Sequence, residues 1–281
     1  MSTKVFKGNN KLLMRSGERL YLHSKTADMS FVFEIDGDLT EHVPAHKIML
    51  SAGSPVFEAM FFGSIKETGD VQIVDASPAA FREFLQFFYL GSVQLTPENI
   101  FTVTNLCHKY EVADGLLLCE TGMLKTLSVT DNMCSGYELA LLLELQKVIK
   151  FCEQKITESL EGVLNSIDFL NCNEVMLKRI VQLVQLSKGS ASLIVNGCMA
   201  WANNKCQQKN VETTTENLKK EFGSLLVEIP SLVAELSKEE FAQFAVSNKG
   251  LLSDIDLERI ILSLMMRNEK IIKDCEGKML N

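Results

Sequence analysis

The chain has 281 residues, of which 46% are hydrophobic and 23% charged, with a formal net charge of −8. That length accommodates one large domain or two of medium size, and the apolar content is enough to bury a core without metal or disulfide staples. The negative balance argues against partners that are nucleic-acid backbones or anionic membrane surfaces.

The first ten residues are polar, with Val5 and Phe6 suited to a short strand against a partner. Over residues 11–24, Leu12, Leu13 and Leu20 fall on one helical stripe, which predicts a modest amphipathic helix. The period then changes to two. Phe31, Phe33 and Ile35 alternate with Val32 and Glu34. A strand is expected over Ser30–Asp36, a turn at Gly37-Asp38, a return strand over Leu39–Val43, and the next element from Pro44. His46–Met60 carries helical spacing interrupted by Gly53 and Pro55, so two short helices are expected. Val71-Gln72-Ile73 reads as a further strand.

From Pro78, Phe81, Phe84, Leu85, Phe88 and Tyr89 recur at three- and four-residue steps, with Gly91 placed to cap the helix. Thr96-Pro97-Glu98 has the cap-and-proline opening of the next helix, continued by Ile100, Val103, Leu106, Cys107 and Tyr110. Another helix is expected over Gly115–Leu127. Beyond Ser128 no strand pattern occurs. A capping cluster, Ser128–Asn132, precedes a long helical tract through Leu139, Leu143, Val148 and Phe151. A break is expected over Asn165–Asn173, helices over Glu174–Leu186 and Ser190–Lys205, and a polar loop over Gln207–Asn217. Helices follow over Leu218–Leu226, Lys238–Val246 and Asp254–Met266. The fold class is therefore α+β, with strands confined to the first 127 residues and an all-helical remainder. No repeat or low-complexity block is visible.

Chemistry is scarce. The eight cysteines form no C-x-x-C pair, and most sit in apolar periodic segments, so they read as free, buried thiols of a reducing compartment. His42 and His46 have metal-site spacing, but Pro44 lies between them, so a structural role is expected. Adjacent helical residues point about 100° apart, so Cys107 and His108 cannot act as nucleophile and base. No phosphate-binding glycine loop or nucleophile elbow occurs. No catalytic, cofactor-binding or metal-ligating residue is nominated, and a binding protein is expected rather than an enzyme. With no signal-type N-terminus and no apolar run of membrane length, the chain reads as cytoplasmic, with the nucleus open as well.

One stretch carries surplus apolar surface. In HKIMLSAGSPVFEAMFFGSIKET, Met60, Phe61 and Phe62 are consecutive, and a helix burying one face cannot bury all three. Part of that surface must point outward, just before Ile65-Lys66-Glu67.

ADMSFVFEI…VPAHKIMLSAGSPVFEAMF (Ala27 to Phe61), VQIVDASPAAFREFLQFFYLGSV (Val71 to Val93) and LCHKYEVADGLLLCE (Leu106 to Glu120) together resemble the BTB/POZ domain. The specific motifs are Asp28 ahead of the first strand, H-K-x-x-L-x-x-x-S-P-x-F from His46 and F-L-x-F-x-Y-x-G from Phe84. SLIVNGCMAWANNKC (Ser192 to Cys206) and the tract from Glu240 to Leu264 resemble the helical BACK domain of BTB-BACK proteins, including those with a C-terminal PHR domain. Neither a PHR domain nor a kelch propeller is expected here. The resemblance implies an N-terminal extension over 1–19 that starts a dimerisation helix, a BTB/POZ domain over 20–127 (a small sheet capped by helices) and a BACK-like domain over 128–281.

It also implies partners and sites. The domain is commonly dimeric, which assigns Leu12, Leu13 and Leu20 to an interface with itself or another BTB protein. Asp28, His46 and Lys47 fall where the family often forms a charged pocket, with a salt bridge or helix cap as the other reading of Asp28. Ile65-Lys66-Glu67 matches the φ-x-E motif of adaptors that bind cullin-3 for ubiquitination, widened by Phe62 and joined by Tyr110. The helices around Val129–Gln154 resemble the segment that enlarges that interface. Trp201 is expected in the helical core. Two readings stand: a cullin-3 adaptor for an unidentified substrate protein, or a cullin-independent scaffold or dominant-negative partner of longer BTB proteins.

Overall fold

The computed structural model describes residues 11–35, 39–187 and 190–279, with side chains throughout except at Leu13 and 267–279. The strand expected at Val5-Phe6 and the turn at Gly37-Asp38 lie outside these residues. Contacts divide the described residues into two compact units. One holds those of Met1–Thr126 with Leu139–Val148, the other Leu127–Glu138 with those of Ile149–Asn281.

The first unit begins with α1 (Lys11–Leu20), β1 (Met29–Glu34) and β2 (Thr40–Ala45). Helices α2 (Lys47–Gly53) and α3 (Pro55–Phe62) precede β3 (Val71–Gln72), and α4 (Pro78–Tyr89), α5 (Ile100–Lys109) and α6 (Ala113–Thr126) follow. The sheet order is β2-β1-β3. Strand β1 pairs antiparallel with β2, Phe31 opposite Val43, and parallel with β3, Phe31 opposite Val71. Met29, Phe31 and Phe33 alternate onto one buried face, as the period of two predicts. Phe31 meets Phe81 of α4 with ring centroids 4.5 Å apart. Phe57, Phe84 and Tyr110 complete the aromatic centre of this core.

Three local expectations are corrected here. Pro44 does not open the next element; it lies in β2, opposite Ser30. Strand β2 is at the sheet edge, where a residue without an N–H is tolerated. Gly91 does not cap α4: the chain leaves through Leu90 in extended conformation, φ −111° and ψ 151°. Thr96-Pro97-Glu98 forms a turn ahead of α5 rather than its first residues, held by the Asn99 side chain accepting the Thr96 N–H at 2.8 Å.

The break between α2 and α3 is as expected and has a specific cause. Ser54 is extended, its hydroxyl accepts the Phe57 N–H at 3.1 Å, and it donates to the Tyr110 carbonyl at 2.5 Å. One serine thus caps a helix and ties it to the end of α5. Helix α1 crosses α4 at Gly17, where any Cβ would collide with the Tyr89 carbonyl oxygen.

Helix α7 (Met133–Leu142) is followed by α8 (Gln146–Glu158). The tract expected to be continuous divides between them, where Glu144 takes the left-handed conformation at φ 56°. Then come α9 (Leu160–Leu164), α10 (Ile167–Asn171), α11 (Glu174–Leu186) and α12 (Ala191–Gln208). Helix α13 (Thr215–Phe222), a 3₁₀ turn over Gly223–Val227, α14 (Ile229–Val233), α15 (Lys238–Ser247) and α16 (Asp254–Met279) complete the described chain.

The break expected over Asn165–Asn173 is largely α10, started by Ser166, whose hydroxyl accepts the Phe169 N–H at 3.0 Å. The polar loop contracts to 209–214, because α12 runs on to Gln208 and α13 starts at Thr215. Trp201 is 2% exposed and its indole N–H donates to the Cys172 carbonyl at 2.9 Å. Helix α15 starts with a reciprocal capping box between Ser237 and Glu240. The described cysteines are all free and buried, and burial pushes the Cys152 and Cys172 thiols up to about 12.

Candidate protein-binding surface

Helix α3 resolves the surplus of apolar residues. Phe57 and Phe61 are buried, their rings stacked at 5.8 Å and 8°. Met60 is half-buried, and Phe62 turns outward, 57% exposed. The helix stops at Gly63, whose N–H donates to the Ala59 carbonyl at 3.0 Å. A Cβ there would overlap that same oxygen, so the close approach requires glycine. The Glu67 N–H then reaches back to the Met60 carbonyl at 2.8 Å. The intervening residues form a short loop fastened to the helix end.

Ile65 stands at 93% exposure on this loop, the highest of any large apolar side chain among the described residues. Lys66 and Glu67 are exposed beside it. Covering Ile65 fully would contribute about 1.5–3 kcal/mol, and an exposed carboxylate nearby offers hydrogen-bond acceptors that sharpen partner choice. Phe62, Ile65 and Glu67 are thus brought onto one short solvent-facing segment.

Tyr110 is not part of it. Its side chain is 2% exposed and its ring stacks on Phe57, so it has no surface to offer a partner. Its position after α5 placed it in a helical apolar stripe, and that stripe is core.

Asp28, His46 and Lys47 meet at a structural junction, with Asp28 in the helix-capping role that was its other reading. The Asp28 carboxylate accepts the Lys47 backbone N–H at 2.9 Å, at the start of α2. His46 is 6% exposed, with its Nε2 2.9 Å from the Thr26 hydroxyl and its Nδ1 3.1 Å from the Tyr89 hydroxyl. Burial lowers its pKa. The Lys47 ammonium lies over the Phe61 ring at 5.5 Å. Each group is committed to its own chain.

On α1, Leu12 is 72% and Met14 56% exposed, whereas Leu20 is half-buried against the core. The Leu13 side chain lies outside the described residues. Leu117 and Leu118 of α6, 56% and 45% exposed, were not singled out from the sequence. The rule that flagged Met60-Phe61-Phe62 applies equally to Leu116-Leu117-Leu118, and would have found them. Among the described residues, no three His, Cys, Asp or Glu side chains are grouped to hold a metal ion.

Residues 18–127 match the family model of the BTB/POZ domain. This stretch is a BTB/POZ domain. BTB/POZ domain-containing protein 6-A of Danio rerio is 28% identical over 229 residues, 80% of this chain and 41% of its own length. BTB/POZ domain-containing protein 3 of Homo sapiens is 28% identical over 234 residues, 82% of this chain and 44% of its own. The chain therefore spans less than half the length of these curated relatives. Among solved structures, the BTB domain of zebrafish PATZ1 aligns with 43% of this chain and 100% of its own, at 18% identity and a TM-score of 0.35. The BTB/POZ domain carries the small sheet and the α3 exit, and makes protein–protein interaction the role of this part of the chain. The helical region after it is consistent with a BACK-like domain.

Proposed function

We propose that the chain is a non-catalytic adaptor that self-associates through its BTB/POZ domain and recruits cullin-3 through Phe62, Ile65 and Glu67. The observation that carries this reading is Ile65 at 93% exposure on a loop fastened by the Glu67 N–H. A large apolar side chain held out to solvent by a constrained backbone has already lost much of the freedom that binding would otherwise take from it. The BACK-like region, 128–281, holds a substrate protein within reach of ubiquitin transfer, so the contribution is proximity and orientation.

The test is titration calorimetry of the purified chain with the cullin-3 N-terminal domain, with light scattering to fix the mass of each species. Sub-micromolar binding at one cullin per protomer of a dimer is expected. Replacing Ile65 and Glu67 together by alanine is expected to weaken it by about tenfold or more, with the dimer mass unchanged. Absence of binding at tens of micromolar from a folded dimer would favour the second reading, a cullin-independent self-associating scaffold. The exposed Leu12 and Met14 on α1 support self-association in either case.

A further inference from the structure

The helical unit contains a groove of about 410 Å³, inside the size range of ligand pockets. One wall is a single stripe of α12, Ser192, Val195, Asn196, Met199 and Asn203, spaced at three- and four-residue steps. The facing wall is the matching stripe of α15, Glu240, Gln243, Phe244 and Ser247. Facing stripes at this spacing usually meet through apolar side chains. Here the rims are amides and hydroxyls, and the apolar residues lie deeper: Val195, Leu218, Phe244 and Leu251 are all buried.

Hydrogen bonds fix both ends of the groove. The Glu240 carboxylate accepts the Ser237 N–H at 2.9 Å at one end, and the Thr215 hydroxyl donates to the Lys249 carbonyl at 3.0 Å at the other. Asn196, Asn203 and Gln243 line the groove, and among the described residues their amides have no hydrogen-bond partner. Each amide both donates and accepts, the combination that pairs with a peptide N–H and C=O. Glu240 is the one formally charged residue in the lining.

We propose that this groove binds an extended peptide segment of a partner protein, seating one apolar side chain on the Val195–Phe244 floor and one basic side chain against Glu240. Under the adaptor reading this is the substrate-binding half of the molecule. The binding itself does not depend on cullin-3, and it is measured without cullin-3 present.

The probes are capped hexapeptide pools, each fixing one arginine and one leucine at a given separation, with matched pools carrying glutamate in place of arginine. Binding to the full chain is read by fluorescence polarisation. At least one arginine–leucine pool is expected to bind saturably, with its glutamate counterpart about tenfold weaker or more. Glu240→Gln keeps a side chain suited to the capping box while removing the charge, and is expected to erase the arginine preference. Asn196→Trp fills the groove from an exposed position and is expected to abolish binding with the circular-dichroism melt unchanged. If Asn196→Trp fails to fold, Glu240→Gln decides the matter. Equal binding of arginine and glutamate pools, no saturable binding by any pool, or binding indifferent to Glu240→Gln would overturn the assignment.

Discussion

Tyr110 lies stacked on Phe57, ring centroids 4.3 Å apart and planes inclined by 17°. The Tyr110 carbonyl also accepts the Ser54 hydroxyl at the joint between α2 and α3. One residue after α5 thus sets the helix whose far end presents Ile65. Phe57→Ala or Tyr110→Ala is expected to cost about 3–5 kcal/mol by emptying the aromatic centre. Urea denaturation of each variant checks this, and a loss under about 1 kcal/mol would mean that the centre repacks.

Ile65→Ala tests the opposite regime. A side chain 93% exposed supports nothing in its own chain, so the midpoint of unfolding is expected to move by less than the equivalent of about 0.5 kcal/mol. Cullin-3 affinity is expected to fall. Parallel melts and titrations separate the two effects; a clear loss of stability would show that Ile65 packs on its own domain.

Gly63→Ala leaves every side chain of the proposed surface in place and disturbs only its frame. The added Cβ meets the Ala59 carbonyl oxygen, so the helix end or the loop must shift. A cost of about 1–3 kcal/mol is expected, together with weaker cullin-3 binding although Ile65 and Glu67 remain. Unchanged affinity would mean that the loop geometry is irrelevant to docking.

His46 gives the BTB/POZ domain a pH dependence of defined sign. Burial lowers its pKa below the ordinary 6.5. As pH falls through 6.5 the unfolded chain takes up the proton first, so folding loses stability from there down to the folded pKa. Above 6.5 both states are neutral and the contribution is complete. Carboxylates held low, Glu174 among them, act only below their ordinary 4.5. The interval between isolates the histidine. Melting temperatures of His46→Gln, measured from pH 5 to 7, are expected to fall less steeply than those of the parent chain; parallel slopes would exclude His46 as the cause.

The sole tryptophan reports on the helical unit alone. Trp201 is 2% exposed, so its emission is expected to shift to longer wavelength on unfolding. Ser237→Ala removes the hydroxyl half of the α15 capping box and is expected to lower the tryptophan-detected stability by about 0.5–2 kcal/mol. An unchanged midpoint would place α15 outside the cooperative unit that holds Trp201.

The sequence was most legible where one period dominates. The β1 alternation, the α4 aromatic spacing and the α11 span follow from single-face burial, and Ser190 and Ser237, where helices were expected to start, both cap them. Legibility failed where tertiary geometry replaces a local signal. Pro44 is tolerated because β2 is an edge, which no local pattern shows. Gly91 is not needed as a cap because Leu90 leaves extended. Helix α14 is a five-residue segment too short to display a period. At the candidate surface, the three-in-a-row rule found Phe62, and the exposure of Ile65 agrees with the motif that singled it out. Tyr110 was misread because helical spacing does not show which apolar stripe is core, whereas the helix-cap reading of Asp28 agrees with its bond to the Lys47 N–H.

The buried cysteines make the molecule a clock for its own opening. Cys107 and Cys119 lie in the first unit, and Cys134, Cys152, Cys172, Cys198 and Cys206 in the second, all free and inaccessible in the folded chain. All seven are shielded from an alkylating reagent by burial, which also raises every one of these thiols except Cys119, held lower by its hydrogen bond with Cys107, so modification must wait for local or global unfolding. Mass-resolved labelling over time would therefore register how often each region opens under native conditions, with no engineered probe and no denaturant.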